Sequence, residues 1–375
     1  MTLTIFSEKE FDLLKNRIVL AAGGSGGHVF PAQALAEVLL ERGWDVFLVT
    51  DERGLPFTVG FPENVEKLVL NVKNPRIGGI FGFISSLCLM LVGVIKVVRL
   101  YRRTQTSAML GFGGYPSAPS MLAAQLLRLP NGIHEQNSVL GRVNQFFSKR
   151  ARFLAFGLSP KVLKTRDKKV LVTGNPIRKS ILKSYQKKYS IYDSGSFQIL
   201  ILGGSQGASF VSTVVCEAIS KLPKSIRVKL RIVHQCRKED VLRIKELYRR
   251  SSVDSLTQDF FENIFDYMNQ ANLVISRAGA STLSELCMIG RPSILIPLPT
   301  AVGDHQAQNA SVMEIAGASL VLNQKNLDAI NLAEEINSLI DDRRTLNEMA
   351  ASALKLAKPN AAEAIANEIE KLKSE

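Results

Sequence analysis

The sequence predicts an α/β protein of two doubly wound, parallel-sheet domains, and three observations support this fold class. The chain has 375 residues, more than the roughly 250–300 at which a single core stops growing. Short runs of Val, Ile and Leu alternate with amphipathic runs of helical length, as in βα units. RIVLAAGGSGGH (17–28) and FQILILGGSQGA (197–208) both lead from an apolar strand through Gly-Gly-Ser-x-Gly into a helix, which indicates one fold used twice.

The apolar runs predict two series of strands separated by a polar stretch. The first series lies near 17–23, 45–50, 66–72, 107–111, 132–134, 152–156 and 169–173. The second lies near 197–203, 228–234, 256–259, 272–276, 293–297 and 318–322. The Lys-rich stretch from Lys179 to Ser196 is the candidate linker. We therefore expect an N-terminal domain at 1–180, a linker at 181–196 and a C-terminal domain at 197–358.

Two helix-like runs, 341–358 and 360–373, end the chain on either side of Pro359. In the second, one apolar stripe repeats at i, i+3, i+7 and i+10, through Ala362, Ile365, Ile369 and Leu372. Such a stripe must pack on another surface. We expect 359–375 to form a separate C-terminal helix, whose partner the sequence does not identify.

Composition excludes several classes of protein. With 46% hydrophobic and 22% charged residues, the composition is not that of a disordered protein, a collagen or a polytopic membrane protein. Its net charge of +13 calls for an anionic partner: nucleic acid, a membrane or a phosphorylated substrate. Nucleic acid is not expected, because no basic–aromatic interleaving or recognised nucleic-acid motif occurs.

The cysteines and the N-terminus favour a reducing cytoplasm. Four widely spaced cysteines, without a C-x-x-C, suggest neither a zinc site nor a disulfide framework. The first residues, MTLTIFSEKEFDLLKNR, lack the apolar core and cleavage site of a secretory signal. We therefore expect the chain to stay inside the cell.

An uncharged stretch from Ile77 to Ile95 is followed by a basic rim, Lys96, Arg99, Arg102 and Arg103. Its length would span a bilayer of about 30 Å, but spanning is disfavoured because the stretch contains glycines and lies between two strands of one predicted sheet. A buried core helix and a helix with one apolar face dipping into the membrane surface both remain open. The basic rim would attract anionic headgroups in the second case.

Three glycine-rich loops follow predicted strands: GGSGGH, GFGGYPS (111–117) and GGSQGA. At a helix N-terminus such a loop lets backbone N–H groups approach a phosphate. Neither the dinucleotide fingerprint nor the P-loop motif occurs. A single loop could be a mere tight turn, but three at strand carboxyl ends, where open α/β sheets bind ligands, predict anion binding.

Two later segments also follow strands. SRAGASTLSE (276–285) opens a helix with small residues and places Glu285 where a carboxylate can bind a ribose diol. Capping of the helix by Ser281 or Thr282 is the simpler interpretation of the same residues. DHQAQN (304–309) offers side chains that can hydrogen-bond hydroxyl groups.

His28 closes the first glycine loop and is the candidate general base, since an imidazole near its ordinary pKa accepts protons at neutral pH. In GIHEQN (132–137), His134 or Glu135 could be the base or orient it. No D-x-D is present to hold a metal-bound diphosphate, so metal-free chemistry without a cofactor is expected. Glycine loops, helix ends and Arg178 would then offset the charge of a leaving group.

Taken in order, seven motifs resemble the MurG family of N-acetylglucosaminyltransferases of peptidoglycan synthesis. They are GGSGGHVFPAQALA, GFGGYPSAP, HEQN, GNPIR, GGSQGA, SRAGASTLSE and DHQAQNA. Each is weak alone, but seven in order are specific, and the resemblance covers the chain from about Ile18 to Ala316. The resemblance implies a GT-B fold, in which two Rossmann-like domains face each other across a cleft, the C-terminal one holding the nucleotide sugar.

The resemblance also implies roles for particular residues. His28 matches the histidine proposed as general base, and Gln306 matches a glutamine that contacts the sugar. Phe261 falls where the family packs a backbone position against uracil. The remaining matches are to donor-binding positions: Ser25, Gly26, Gly27, Asn137, Arg178, Ser205, Ala280, Ser281, Thr282, Leu283, Ser284 and Glu285.

The implied activity is inverting transfer of N-acetylglucosamine from UDP-N-acetylglucosamine to the C4 hydroxyl of the undecaprenyl-pyrophosphoryl muramyl-pentapeptide, lipid I to lipid II. The family is thought to meet the membrane at the stretch 77–95, which implies a peripheral enzyme on the cytoplasmic face of the inner membrane. Proteins of cell-wall synthesis or division are candidate partners. Competing hypotheses are a UDP-N-acetylglucosamine 2-epimerase and a non-catalytic, membrane-bound sensor or scaffold that binds the nucleotide sugar.

Overall fold

A computed structural model describes residues 16–72, 79–160, 169–185, 189, 196–203 and 209–372. These residues form two compact units. Unit 1 is the chain up to Arg178 together with the segment from Asn360 onward, and unit 2 runs from Lys179 to Pro359. Of the predicted linker, the described residues belong to unit 2.

Unit 1 contains one seven-stranded sheet in the order β3-β2-β1-β4-β5-β6-β7, with every neighbouring pair parallel. The strands are β1 (Asn16–Ala21), β2 (Trp44–Asp51), β3 (Glu66–Leu70), β4 (Ala108–Gly111), β5 (Asn131–Glu135), β6 (Phe153–Phe156) and β7 (Lys169–Val172). The helices of this part of the chain are α1 (Gly26–Glu41), α2 (Gly79–Arg103), α3 (Ser117–Leu126) and α4 (Arg142–Ser148).

Unit 2 contains a six-stranded parallel sheet in the order β10-β9-β8-β11-β12-β13. Its strands are β8 (Phe197–Leu202), β9 (Leu230–Gln235), β10 (Asp254–Gln258), β11 (Leu273–Ser276), β12 (Ser293–Leu295) and β13 (Ser319–Val321). Its helices are α5 (Lys179–Leu182), α6 (Ser209–Lys221), α7 (Lys224–Arg227), α8 (Val241–Arg250), α9 (Ile264–Gln270), α10 (Ala280–Ile289), α11 (His305–Ile315), α12 (Ala329–Asp341) and α13 (Arg343–Leu356).

The two sheets share one strand order over six strands, to which β7 adds an edge strand in unit 1, and this confirms the prediction of two doubly wound parallel sheets. In each unit the first strand lies in the interior of the sheet, and the order reverses beside it, between β1 and β4 and between β8 and β11. β8 is buried along its whole length, as expected for a strand covered on both faces. Ligands bind at this switch point in open α/β sheets, outside the carboxyl ends of the strands.

The last helix, α14 (Ala361–Lys371), returns to unit 1. Its predicted apolar stripe, including Ile365 and Ile369, is buried in the core formed by β1 and α1. Charged contacts fix its other face: Arg42 lies 3.2 Å from Glu370 and donates to Asn367 at 2.7 Å. The chain therefore leaves unit 1 once and comes back to complete its core.

The helix α2 combines a buried face with an exposed apolar face. Val97, Leu100 and Tyr101 pack in the unit 1 core. The opposite face exposes large apolar side chains, namely Phe81, Ile84, Leu87, Leu91, Val92 and Ile95. Ile84–Arg103 is long and apolar enough to cross a membrane, and an 18-residue window of it has a mean hydropathy of 1.9 with 33% of that window buried.

Candidate active site

Three segments of unit 1 converge at the carboxyl ends of β1, β4 and β5. Gly113 and Gly114 follow β4 with φ of 92° and 77°, which glycine adopts without strain. A Cβ on Gly114 would lie 2.7 Å from the carbonyl oxygen of Gly23, and one on Gly113 would lie 3.3 Å from Cε1 of His28. These glycines therefore allow the second loop to pass directly over the first loop and its histidine.

Asp51, the last residue of β2, holds the first glycine loop in place. Its Oδ1 accepts hydrogen bonds from the backbone N–H groups of Gly24 at 2.7 Å and Gly54 at 3.0 Å. Its Oδ2 accepts one from Arg53 at 3.3 Å. Asp51 is not among the residues predicted from the sequence, although an acidic residue that ends a strand beside a glycine loop was the signal for it.

The first loop leads into the N-terminus of α1. Ser25 is the N-cap residue in an extended conformation, and its side chain makes no capping hydrogen bond. Gly26 and Gly27 form the start of the helix, where backbone N–H groups lack intrahelical acceptors. The helix dipole favours negative charge at this end, so the loop can hold an anion.

His28 and His134 are joined through the side chain of Gln136. Nδ1 of His28 lies 2.8 Å from Oε1 of Gln136, and Nε2 of Gln136 lies 3.1 Å from Nδ1 of His134. His28 is half-buried, whereas His134 is fully buried inside the sheet. Burial lowers the pKa of His134 from its ordinary value of 6.5 to about 4, so this ring is neutral at pH 7.

Glu135 is a buried structural anchor. Its Oε1 accepts from the Asn137 backbone at 3.2 Å and from the Asn137 side chain at 2.8 Å. Its Oε2 accepts from the Gly141 backbone and the Asn144 side chain, both at 2.8 Å. These bonds fix the turn that carries Asn137. Asn144, nine residues away, gave no sequence signal because only the fold brings it to the carboxylate.

The end of unit 1 carries Arg178. Its guanidinium lies over the ring of Phe30 on α1, 4.7 Å from the ring centroid. Phe30 in turn meets Phe57 edge to face, with 5.8 Å between their centroids. The aromatic stacking orients a half-buried cation beside the helix that follows the first glycine loop.

In unit 2, Ser205 lies outside the described residues, and β8 ends at Leu202 just before its loop. The segment after β11 is described in full. Gly279 is the N-cap of α10, and Ala280 is buried at the first helical position. Ser281 has a buried Oγ that has no hydrogen-bond partner among the described residues. A hydroxyl at a helix N-terminus without a protein partner is suited to bind a phosphate oxygen.

The other residues of this segment differ in accessibility. Leu283 is fully buried, and Ser284 donates its hydroxyl hydrogen to the carbonyl of Ala280 at 2.9 Å. Thr282 and Glu285 are half-buried. Any ligand contact of Leu283 would therefore use its backbone, whereas Thr282 and Glu285 can present side chains.

Two further candidate residues of unit 2 are Gln306 and Phe261. Gln306 accepts a hydrogen bond from the backbone of Leu298 at 3.0 Å, which ties the start of α11 to the loop after β12. Phe261 is buried against Tyr267, with 5.1 Å between ring centroids. Only the backbone of Phe261 is therefore accessible to a nucleobase such as uracil. Within the described part of the chain, no group of three or more His, Cys, Asp or Glu side chains could hold a metal ion.

Comparison with known families matches both halves of the chain. The glycosyltransferase family 28 N-terminal domain matches residues 18–155, and the glycosyltransferase family 28 C-terminal domain matches residues 198–365.

Curated relatives extend over nearly the full length. UDP-N-acetylglucosamine--N-acetylmuramyl-(pentapeptide) pyrophosphoryl-undecaprenol N-acetylglucosamine transferase from Caulobacter vibrioides is 40% identical, over 94% of this chain and 98% of the relative. The protein of the same name from Paramagnetospirillum magneticum is 39% identical, over 94% and 96%.

Solved structures agree at the level of the fold. The crystal structure of Acinetobacter baumannii MurG has a TM-score of 0.76 and 29% identity, covering 95% of this chain and 99% of that one. A UDP-N-acetylglucosamine 2-epimerase has a TM-score of 0.68 at 13% identity, covering 95% of each chain. At that identity the second likeness shows the fold alone.

Proposed function

The chain belongs to glycosyltransferase family 28 and, within it, to the MurG family, and we infer from this that it transfers N-acetylglucosamine from UDP-N-acetylglucosamine to lipid-linked muramyl-pentapeptide. The product of this step is lipid II of peptidoglycan synthesis. Relatives of about 40% identity over 94% of the chain carry the inference. The acceptor atom is the C4 hydroxyl of the muramyl sugar, and the anomeric carbon inverts.

His28 is the base in this proposal, and the different environments of the three candidates support that choice. His134 is fully buried and bonded to the carbonyl of Gly174 at 3.2 Å. Glu135 accepts hydrogen bonds from Asn137, Gly141 and Asn144. His28 alone is partly exposed, at the end of the loop that offers free N–H groups. It takes the proton as the acceptor oxygen attacks and UDP leaves.

Unit 2 binds the UDP moiety in this proposal. The N-terminus of α10 and the hydroxyl of Ser281 bind the diphosphate, and Glu285 accepts hydrogen bonds from the ribose diol. Ser205 and Thr282 contribute phosphate contacts, and Gln306 contacts the sugar. Ser25, Gly26, Gly27, Asn137 and Arg178 of unit 1 complete the donor contacts. No metal ion or cofactor takes part.

The exposed face of α2 supports peripheral attachment to the cytoplasmic face of the cell membrane. One side of the helix packs in the core, so the helix cannot leave unit 1 to span a bilayer without exposing that core. The other side combines apolar residues such as Leu87 and Leu91 with exposed Lys96, Arg99 and Arg102. An apolar face with a cationic rim binds anionic lipid surfaces.

Transfer of labelled N-acetylglucosamine from its UDP donor to a lipid-linked muramyl-pentapeptide analogue tests the proposal. Purified protein in detergent with excess chelator is expected to form the product. Production of UDP-N-acetylmannosamine without acceptor would instead establish the epimerase. Donor binding without any turnover would favour the sensor or scaffold. Product that forms only when Mg²⁺ is restored would contradict metal independence while keeping the transferase.

A further inference from the structure

The hydrogen bonds around Gln136 have a direction that the atoms themselves determine. Nε2 of His134 lies 3.2 Å from the carbonyl oxygen of Gly174. A carbonyl oxygen only accepts, so this ring nitrogen carries the hydrogen. A neutral ring has one N–H, and burial keeps His134 neutral at pH 7. Nδ1 of His134 is therefore an acceptor.

That acceptor fixes the orientation of the Gln136 amide. The amide nitrogen donates to Nδ1 of His134 at 3.1 Å and also lies 3.4 Å from the carbonyl oxygen of His134, a second acceptor. The opposite orientation would place the amide oxygen against two acceptors. The amide oxygen therefore faces His28, 2.8 Å from its Nδ1.

An amide oxygen accepts and cannot donate, so Nδ1 of His28 carries a hydrogen. In the neutral ring the lone pair then belongs to Nε2, and only a nitrogen with a lone pair can take the proton of an attacking hydroxyl. We propose that Gln136 is a positioning residue for the transfer, holding His28 in the tautomer with its proton on Nδ1 and its lone pair on Nε2. This rests on the proposed function, in which His28 is the base.

The backbone around Gln136 is built to keep the amide in place. Gln136 is 2% exposed, and its carbonyl accepts a hydrogen bond from Asn175 at 3.1 Å. Asn175 packs so tightly on Gly157 that a Cβ there would lie 2.1 Å from Oδ1 of Asn175. The buried amide therefore does not exchange its hydrogen bonds for hydrogen bonds to water. Its oxygen stays paired with His28 and its nitrogen with His134.

Nuclear magnetic resonance of the intact protein with 15N-labelled histidine rings tests this directly. The chain has four histidines, and a His28→Gln sample assigns the signals of His28. We expect opposite tautomers in one protein: an Nδ1–H ring for His28 and an Nε2–H ring for His134. If the neutral ring of His28 carried its hydrogen on Nε2, the proposal would be overturned.

Two variants separate positioning from general structure. Gln136→Met keeps the side-chain length and removes the hydrogen bonds that the amide makes with both histidine rings, so His28 should show a mixture of tautomers. Transfer should fall by about tenfold or more in kcat, with the donor KM within about twofold. The matched control is Gln198→Met, which removes a buried amide that donates to Tyr267 in unit 2. It should leave the His28 signals unchanged.

His134→Phe tests the second hydrogen bond, the one between Gln136 and His134. It keeps Gln136 beside His28 but removes the ring nitrogen that accepts from the amide at 3.1 Å, leaving only the more distant backbone carbonyl at 3.4 Å. The tautomer of His28 should therefore again become mixed. A pure Nδ1–H ring in both variants would overturn the role of Gln136. Because the tautomer is measured without turnover, the expected tautomers in a protein that transfers no sugar would contradict the proposed function and leave the arrangement of bonds intact.

Discussion

Among single residues, His28 carries the largest expected effect on the rate of transfer. We expect His28→Ala to lower kcat by about 10²–10⁴-fold, the usual contribution of a general base, with little change in donor binding. Steady-state kinetics and UDP titration of the same preparation separate the two quantities. Near-normal turnover would move the role to Glu135 or His134, in spite of their burial.

For Glu285 the expected effect is on a different quantity, the affinity for UDP. We expect Glu285→Ala to weaken UDP binding by about 10- to 100-fold, because a hydrogen bond to a charged group contributes about 1.5–3 kcal/mol. Isothermal titration calorimetry measures the change. The control is Glu314→Ala, which removes an exposed glutamate on α11. Unchanged affinity in Glu285→Ala would contradict the ribose assignment.

Local sequence features predicted part of this candidate site. His28 and the glycine loops were found because strand ends and helix starts are local features of the sequence. Gln136 lies in the HEQN motif, but no role was predicted for it. Its role depends on a hydrogen bond to His28, which is 108 positions away in the sequence. Asp51 and Asn144 likewise acquire partners only through the fold.

At the scale of elements, α2 is expected to govern membrane attachment. Leu87→Asp with Leu91→Asp should weaken binding to anionic vesicles by at least about tenfold. The physical reason is that each leucine side chain that enters the lipid contributes about 1.5–3 kcal/mol to binding. Sedimentation with vesicles of anionic and of neutral lipid measures it. The matched control, Leu242→Asp with Ile330→Asp, alters two exposed apolar residues of unit 2. Equal binding by both double variants would contradict the assignment of α2.

The helix α14 is expected to stabilise unit 1. Ile369→Ala should lower the free energy of unfolding of unit 1 by about 2–5 kcal/mol, because it leaves a cavity in a closed core. The single tryptophan, Trp44, is buried in the same core, so its fluorescence reports this unit during urea unfolding. Ile315→Ala, at a residue 78% exposed, is the control. A loss as small as that of the control would show that α14 is dispensable.

For the whole molecule, we expect stability to fall as the pH drops from about 6.5 to about 4. Burial lowers the pKa of His134 in unit 1 to about 4 and that of His234 in unit 2 to about 3. Between those values and 6.5, the unfolded chain binds protons that the folded chain excludes, so acid favours unfolding.

The contribution of His134 amounts to something on the order of 3 kcal/mol across this range. Urea unfolding followed through Trp44 at several pH values measures unit 1, and His134→Phe removes the titrating ring. The variant should therefore lose less stability between pH 6.5 and pH 4 than the unsubstituted protein. Parallel loss in both proteins would show that other groups dominate.

The two doubly wound sheets, the candidate loops and the resemblance to the family were all predicted from the amino-acid sequence. Apolar runs, helical periodicity and glycines at strand ends are properties of neighbouring residues, so they can be read along the chain. The predicted strands all occur, with small differences at their ends.

Which groups contact one another depends on the three-dimensional fold. It carried α14 back to unit 1 and gave α2 both a core face and an exposed apolar face. It also placed one amide between His28 and His134. Each of these depends on residues far apart in sequence, and the direction of a hydrogen bond follows from which donors and acceptors the fold brings within 3 Å or so of one another.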